Sequence, residues 1–225
     1  MNEDNIDNAD SSKRSERTTK TRRLFIEAGQ RLFAQRGVGA VSVNEITGAA
    51  GQKNRTALQY HFGDKNGLLT AIIEVHAKRV FELRQQYLDS NIYDNSKASR
   101  RAAQALVNPL VQYIEENNTA VFYVKILSQL AAVDSHLLHP RTSSGISKLK
   151  DDRLHALMQS AVAHLQPPEA QRRLFLVVSF LFHSYCGILQ MNDSSDTSDI
   201  LLQRSAMFSQ VALAVESILE APPLQ

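Results

Sequence analysis

The sequence has no tryptophan, one cysteine and six prolines in 225 residues. With Cys186 alone, no disulfide can close within the chain, which fits a reducing, cytoplasmic compartment. A chain of this length buries enough surface to fold without such staples. Long apolar runs are also lacking. Residues 174–182 come nearest, but Ser179 interrupts them and Arg172, Arg173 and His183 fence them. A membrane span needs about 20 apolar residues, so a buried helix and no membrane are expected. The polar N-terminus has no apolar core, so it is not a secretory signal. No glycine-rich phosphate loop and no nucleophile elbow occurs. His136 and His139 lie three apart, but no carboxylate cluster completes a metal site. Enzyme chemistry, a metal and a cofactor are therefore not expected.

Charge is unevenly spread. Residues 11–70 hold eleven Lys/Arg against four Asp/Glu, a net +7, although the whole chain carries only +2. Such a stretch suits a polyanionic partner, or a solvated surface.

Apolar residues recur at helical spacing almost throughout, and no period-2 strand of useful length appears. The sequence predicts an all-α fold of about nine helices. A disordered tail (1–17) precedes a DNA-binding domain (18–68) and a larger helical domain (69–225). The first helix, 18–36, carries the stripe Phe25, Ala28, Leu32 and Phe33, and Gly37 suits its C-terminal cap. Ser42 with Glu45 three residues on is a capping-box signature for a second helix. Asn54 suits the cap of a short third helix, 55–61. Asp64 then caps a long fourth helix, 65–90. Five further helices are expected near 97–117, 119–135, 146–165, 169–191 and 198–221.

The second and third helices, joined by a glycine-containing turn, make a helix-turn-helix candidate. The third helix is too short to be stable alone. Leu58 and Phe62 would anchor it, leaving Arg55, Thr56, Gln59 and Tyr60 outward. A cation, a hydroxyl, an amide and an aromatic are the groups that read base edges and phosphates. Lys53, Asn54 and His61 flank them, and Ser42 and Lys65 start two other helices, where backbone N–H groups meet phosphate. The basic run Lys13, Arg14, Arg17, Lys20, Arg22 and Arg23 would serve as a flexible arm on DNA or as a solubilising tail.

LFAQRG at 32–37, VSVNEITGAAG at 41–51 and LQYHFGDKNGLL at 58–69 resemble the DNA-binding domain of the TetR family of bacterial transcriptional regulators. The resemblance covers about a fifth of the chain. It implies that Ser42, His61 and Lys65 hold backbone phosphates and that Arg55, Thr56, Ala57, Gln59 and Tyr60 lie on the recognition helix. The turn at 52–54 is one residue longer than the family's commonest form, which leaves the base-contact register open. Gln59 also stands where tyrosine is common.

The last two helices are apolar on more than one side, which suits a face on the protomer's own core and a face on a second copy. Leu174, Val178, Leu181, Tyr185, Phe208, Val211, Val215 and Ile218 are the expected dimer contacts. Phe122, Tyr123, Ile126, Leu127, Met158 and Phe180 read as plain core or as the lining of a ligand cavity, with Tyr113 or His183 as polar handles; the resemblance implies the cavity. A small hydrophobic or amphipathic effector would fit it. With the resemblance, the expectation is a homodimeric regulator binding a palindromic double-stranded DNA operator, and the resemblance implies a ligand-relieved repressor. A TetR-type activator is one alternative. Another is an all-α carrier or receptor whose N-terminal bundle binds a protein.

Overall fold

A computed structural model describes residues 4–54, 56–90, 96–133, 151–191 and 204–224. Nine helices and no strand occur among the described residues. They are α1 (Asp4–Arg36), α2 (Val43–Ala49), α3 (Thr56–Phe62), α4 (Lys65–Ser90), α5 (Ala98–Glu116), α6 (Ala120–Val133), α7 (Asp152–Ala161), α8 (Pro167–Gln190) and α9 (Arg204–Glu220). The chain divides into two compact units, Met1–Ile73 and Glu74–Gln225, with the boundary inside α4.

The all-α expectation holds, but the first helix starts earlier than expected. In place of a disordered tail, α1 continues back to Asp4. No glycine or proline interrupts residues 4–28. Acidic residues open the helix, where the macrodipole favours them. Glu16 precedes Lys20 by four residues, a helix-supporting spacing.

In the N-terminal unit, Phe25, Ala28 and Phe33 of α1 form the buried face with Val41, Ile46, Ala50, Leu58, Leu68 and Ile72. Gly51 ends α2 at φ +66°, a left-handed conformation that costs other residues more. Gly67 sits at a close approach: a Cβ there would lie 1.9 Å from the Phe62 carbonyl oxygen.

In the C-terminal unit, α5 packs against α9, α7 and α6, and α8 packs against α6 and α9. Ala102, Ala103, Leu106 and Leu110 of α5 are buried, and α5 runs on through Pro109. The buried Arg173 closes the end of α9. It donates to the carbonyls of Ile218 (2.7 Å), Ala221 (2.8 Å) and Pro222 (3.2 Å), and pairs with Glu169 (3.1 Å). By length and mean hydropathy (1.4), α8 could cross a membrane. It packs instead as a core helix, with Arg173, Val177, Leu181 and Tyr185 on its buried face.

The dimer stripe needs correction. Leu181, Tyr185, Phe208, Val211 and Val215 are buried within their own protomer. The rings of Tyr185 and Phe208 meet at 4.7 Å, and Tyr185 Oη donates to the Val107 carbonyl. These side chains are held by α5, α8 and α9, and their burial is already complete within one protomer. Leu174, Val178 and Ile218 are half-buried. The outward apolar residues are Leu176 and Leu213, 54% and 53% exposed.

Candidate nucleic-acid interface

The interface starts from how a seven-residue helix is held in place. Leu58 is 1% exposed. Phe62 packs edge-on against Phe25, with ring centroids 6.0 Å apart. Arg22 of α1 completes the brace. Its guanidinium lies 4.5 Å from the Phe62 ring centroid, and Nη1 donates to the His61 carbonyl at 2.8 Å. That bond satisfies a C-terminal carbonyl α3 cannot satisfy internally. At the other end, Asn54 Oδ1 accepts from the Thr56 N–H (2.9 Å) and hydroxyl (2.8 Å). This cap bears out the reading of Asn54 as a helix start.

The opposite face of α3 is open. Thr56, Gln59 and Tyr60 are exposed, Tyr60 at 75%, and Lys53 and Asn54 are exposed beside them. An unburied amide and phenol on a helix pinned from behind can meet base edges without rearranging the core. Arg55, placed in this group from the sequence, lies outside the described residues.

The residues expected on phosphates also have partners within the chain. Lys65 Nζ donates to the carbonyls of Val38 (3.0 Å) and Val41 (3.1 Å). It therefore ties the loop before α2 to the start of α4. Ser42 is exposed, but its hydroxyl donates to Glu45 (2.7 Å) and accepts from the Glu45 N–H (3.3 Å). The capping box is thus complete. Ser42 and Arg36 together hold the Glu45 carboxyl down to about 2, with the Ser42 hydroxyl contributing most. His61 is half-buried, and burial, then the charge of Arg22, pushes its pKa below the usual value. Both effects disfavour the charged form of the ring.

Arg22 is the residue sequence reasoning misplaced. It was grouped with the basic run, yet it falls three residues before Phe25 and so shares the inward side of α1. That spacing was the available signal.

The expected effector residues lie in the C-terminal unit. Tyr113, Tyr123, Ile126 and Met158 are buried, while Phe122, Leu127 and Phe180 are half-buried. Tyr113 and Tyr123 come together with a partner not expected from the sequence, His76 of α4. His76 stacks on Tyr123 at 5.0 Å, and its Nδ1 lies 2.5 Å from Tyr113 Oη. Asn117 Nδ2 donates to the same Tyr113 oxygen at 2.9 Å. His183 is no cavity handle: it is exposed, and Nδ1 hydrogen-bonds the Ser179 carbonyl of its own helix. An open cleft of about 300 Å³ lies elsewhere, among Lys97, Ser99, Ser160, His164 and Glu220. None of the eight expected residues lines it. His136 and His139 lie outside the described residues.

Residues 25–72, the core of the N-terminal unit, match the family model described as bacterial regulatory proteins, tetR family. Over this unit, the chain is similar to the TetR family. Two relatives align over stretches of similar length. The HTH-type transcriptional regulator AcrR of Shigella flexneri is 38% identical over 68 residues, covering 30% of this chain and 31% of that protein. The HTH-type transcriptional repressor AcnR of Corynebacterium glutamicum is 35% identical over 65 residues, covering 29% and 34%. The alignments thus span about a third of these curated relatives. A solved putative TetR-family regulator from Rhodococcus sp. covers 89% of this chain and 99% of its own, at 19% identity and a TM-score of 0.47. That family is one of bacterial regulatory proteins, and α2 and α3 lie within the matched residues.

Proposed function

We propose that this chain is a cytoplasmic, homodimeric repressor that binds a near-palindromic duplex operator and is released from it by a small molecule. The observation that carries the reading is the exposed face Thr56, Gln59 and Tyr60 on a helix braced by Leu58, Phe62 and Arg22. One such helix makes too few contacts for useful specificity. Two copies, about 34–36 Å apart, would occupy successive turns of one groove face. A second copy would pack on the outward side of α8 and α9, around Leu176 and Leu213. The effector would be a small hydrophobic or amphipathic molecule, bound in the C-terminal unit near the aromatic residues of α5 and α6. The boundary between the units falls inside α4. A shift of that helix would change the separation of the α3 pair and favour a state that fits DNA poorly.

The test is fluorescence anisotropy with duplexes taken from around the chain's own gene. A tight complex should form, and its affinity should fall by orders of magnitude between about 50 and 200 mM salt. Gln59→Ala should change which sequence is preferred. A salt-insensitive response, or no binding to any duplex, would favour a carrier or receptor instead.

A further inference from the structure

Helix α1 extends ahead of the helix-turn-helix. The sequence is at first acidic, with Glu3, Asp4, Asp7 and Asp10. The next part, 13–23, holds Lys13, Arg14, Arg17, Lys20, Arg22 and Arg23 against Glu16 alone, a net +5. Residues 4–36 lie on one continuous helix. Residues 15–20 are exposed all round. No apolar side chain larger than the methyl of threonine occurs between Asp10 and Arg23.

A helix that is polar all round does not fold back onto a core, and without an apolar face it cannot enter a lipid surface. Its position decides between the remaining uses. Arg22 is fixed to the end of α3 by its bond to the His61 carbonyl. At about 1.5 Å per residue, Lys20 and Arg17 lie about 3 and 8 Å along the axis from that anchor. The basic segment therefore begins at the recognition helix and continues outward from it.

We propose that residues 13–20 of α1 are a second DNA-binding element, which lies on the phosphate backbone flanking each half-site. It supplies affinity and no base preference. This rests on the reading that α3 enters duplex DNA. The acidic residues at the start of the helix set its limit, since negative charge there repels phosphates. Only the basic segment lies against the duplex, and the acidic residues keep the grip weaker than the cations alone would make it.

The experiment uses the full chain in three forms: wild type, a K13Q/R14Q/R17Q/K20Q variant, and an E3Q/D4N/D7N/D10N variant. Arg22 is left intact because it braces α3. Affinities for a bound duplex and for an unrelated one are measured from about 50 to 200 mM salt. Loss of the four cations should weaken both complexes at least tenfold. It should also reduce the slope of log affinity against log salt by up to about seven, since the dimer loses two sets of four cations at about 0.9 per neutralised phosphate. The ratio between the two duplexes should stay constant. Loss of the four carboxylates should strengthen both complexes. Circular dichroism melts matching the wild type would show that α2 and α3 are intact. An unchanged slope and affinity in the K13Q/R14Q/R17Q/K20Q variant, while the wild type binds duplex, would overturn this proposal and leave the α3 reading standing. A changed ratio between the duplexes would also overturn it. Failure of the wild type to bind any duplex would overturn both.

Discussion

Acidification from pH 7 to pH 5 should weaken the C-terminal unit largely through one side chain. His76 is 2% exposed, and burial pushes its pKa down to about 4. The fold therefore holds it neutral, while the unfolded chain takes up a proton near pH 6.5. The stability due to the neutral ring is complete above about pH 6.5 and is lost as pH falls toward 4. Integrating between those two values gives a loss of about 2 kcal/mol from pH 7 to pH 5. The contact geometry gives the cause. Tyr113 Oη already accepts from Asn117 and sits 2.5 Å from His76 Nδ1. A phenol in that position is placed to donate to a neutral Nδ1. Protonation turns Nδ1 into a donor and leaves the phenol hydrogen without an acceptor. The burial of both tyrosines, which raises their pKa to about 12, keeps the phenols protonated throughout this range.

The assay is urea unfolding followed by tyrosine fluorescence, since the chain has no tryptophan and Tyr87, Tyr93, Tyr113, Tyr123 and Tyr185 all lie in the C-terminal unit. His76→Phe keeps a ring for Tyr123 to stack on but cannot titrate. It should be less stable than the wild type at pH 7, and the gap should close by about 2 kcal/mol at pH 5. Glu116 and Glu220, whose carboxyls are held below the usual range by Arg79 and by Ser99 respectively, titrate alike in both proteins and cancel. Parallel stability curves for the two proteins would refute the reasoning.

Lys65→Met should lower the melting temperature of the N-terminal unit by removing two charge-assisted bonds, roughly 1–3 kcal/mol in total. The salt slope of any DNA complex should stay the same, and a reduced slope would put Lys65 on phosphate instead. Gly67→Ala should destabilise the α3–α4 junction, because the new methyl would meet the Phe62 carbonyl and not a yielding side chain. Calorimetry should show a loss of more than about 1 kcal/mol, beyond the Gly-to-Ala helix preference that runs the other way. Leu213→Asp should dissociate the proposed dimer in sedimentation equilibrium without lowering protomer stability, and Val215→Asp should unfold the protomer. A reversed pattern would restore the stripe first expected from the sequence.

The local parts of the interface were legible. Ser42 with Glu45, Asn54 before a short amphipathic turn, and glycines at 37, 51 and 63 are contacts and conformations fixed within a few residues. Leu58 and Phe62 were legible too, because helical spacing fixes which residues share a face. Lys65 was not, since its partners lie 24 and 27 residues away and are backbone carbonyls, which carry no sequence signature. The α1 extension was hidden because a polar segment without periodicity looks the same whether helical or disordered. In α8 and α9 both faces are apolar, so spacing alone cannot say which one the protomer's own core takes. His76 was missed because one histidine on an amphipathic helix gives no hint that two tyrosines from other helices close around it.

The claim that α3 reads bases is tested most directly by selecting from a random duplex library with the full chain. The expected result is one enriched near-palindrome whose half-sites repeat at about one helical turn, with the consensus altered at the same position of each half by Gln59→Ala. Recovery of no common sequence, or the same consensus from wild type and Gln59→Ala, would contradict it.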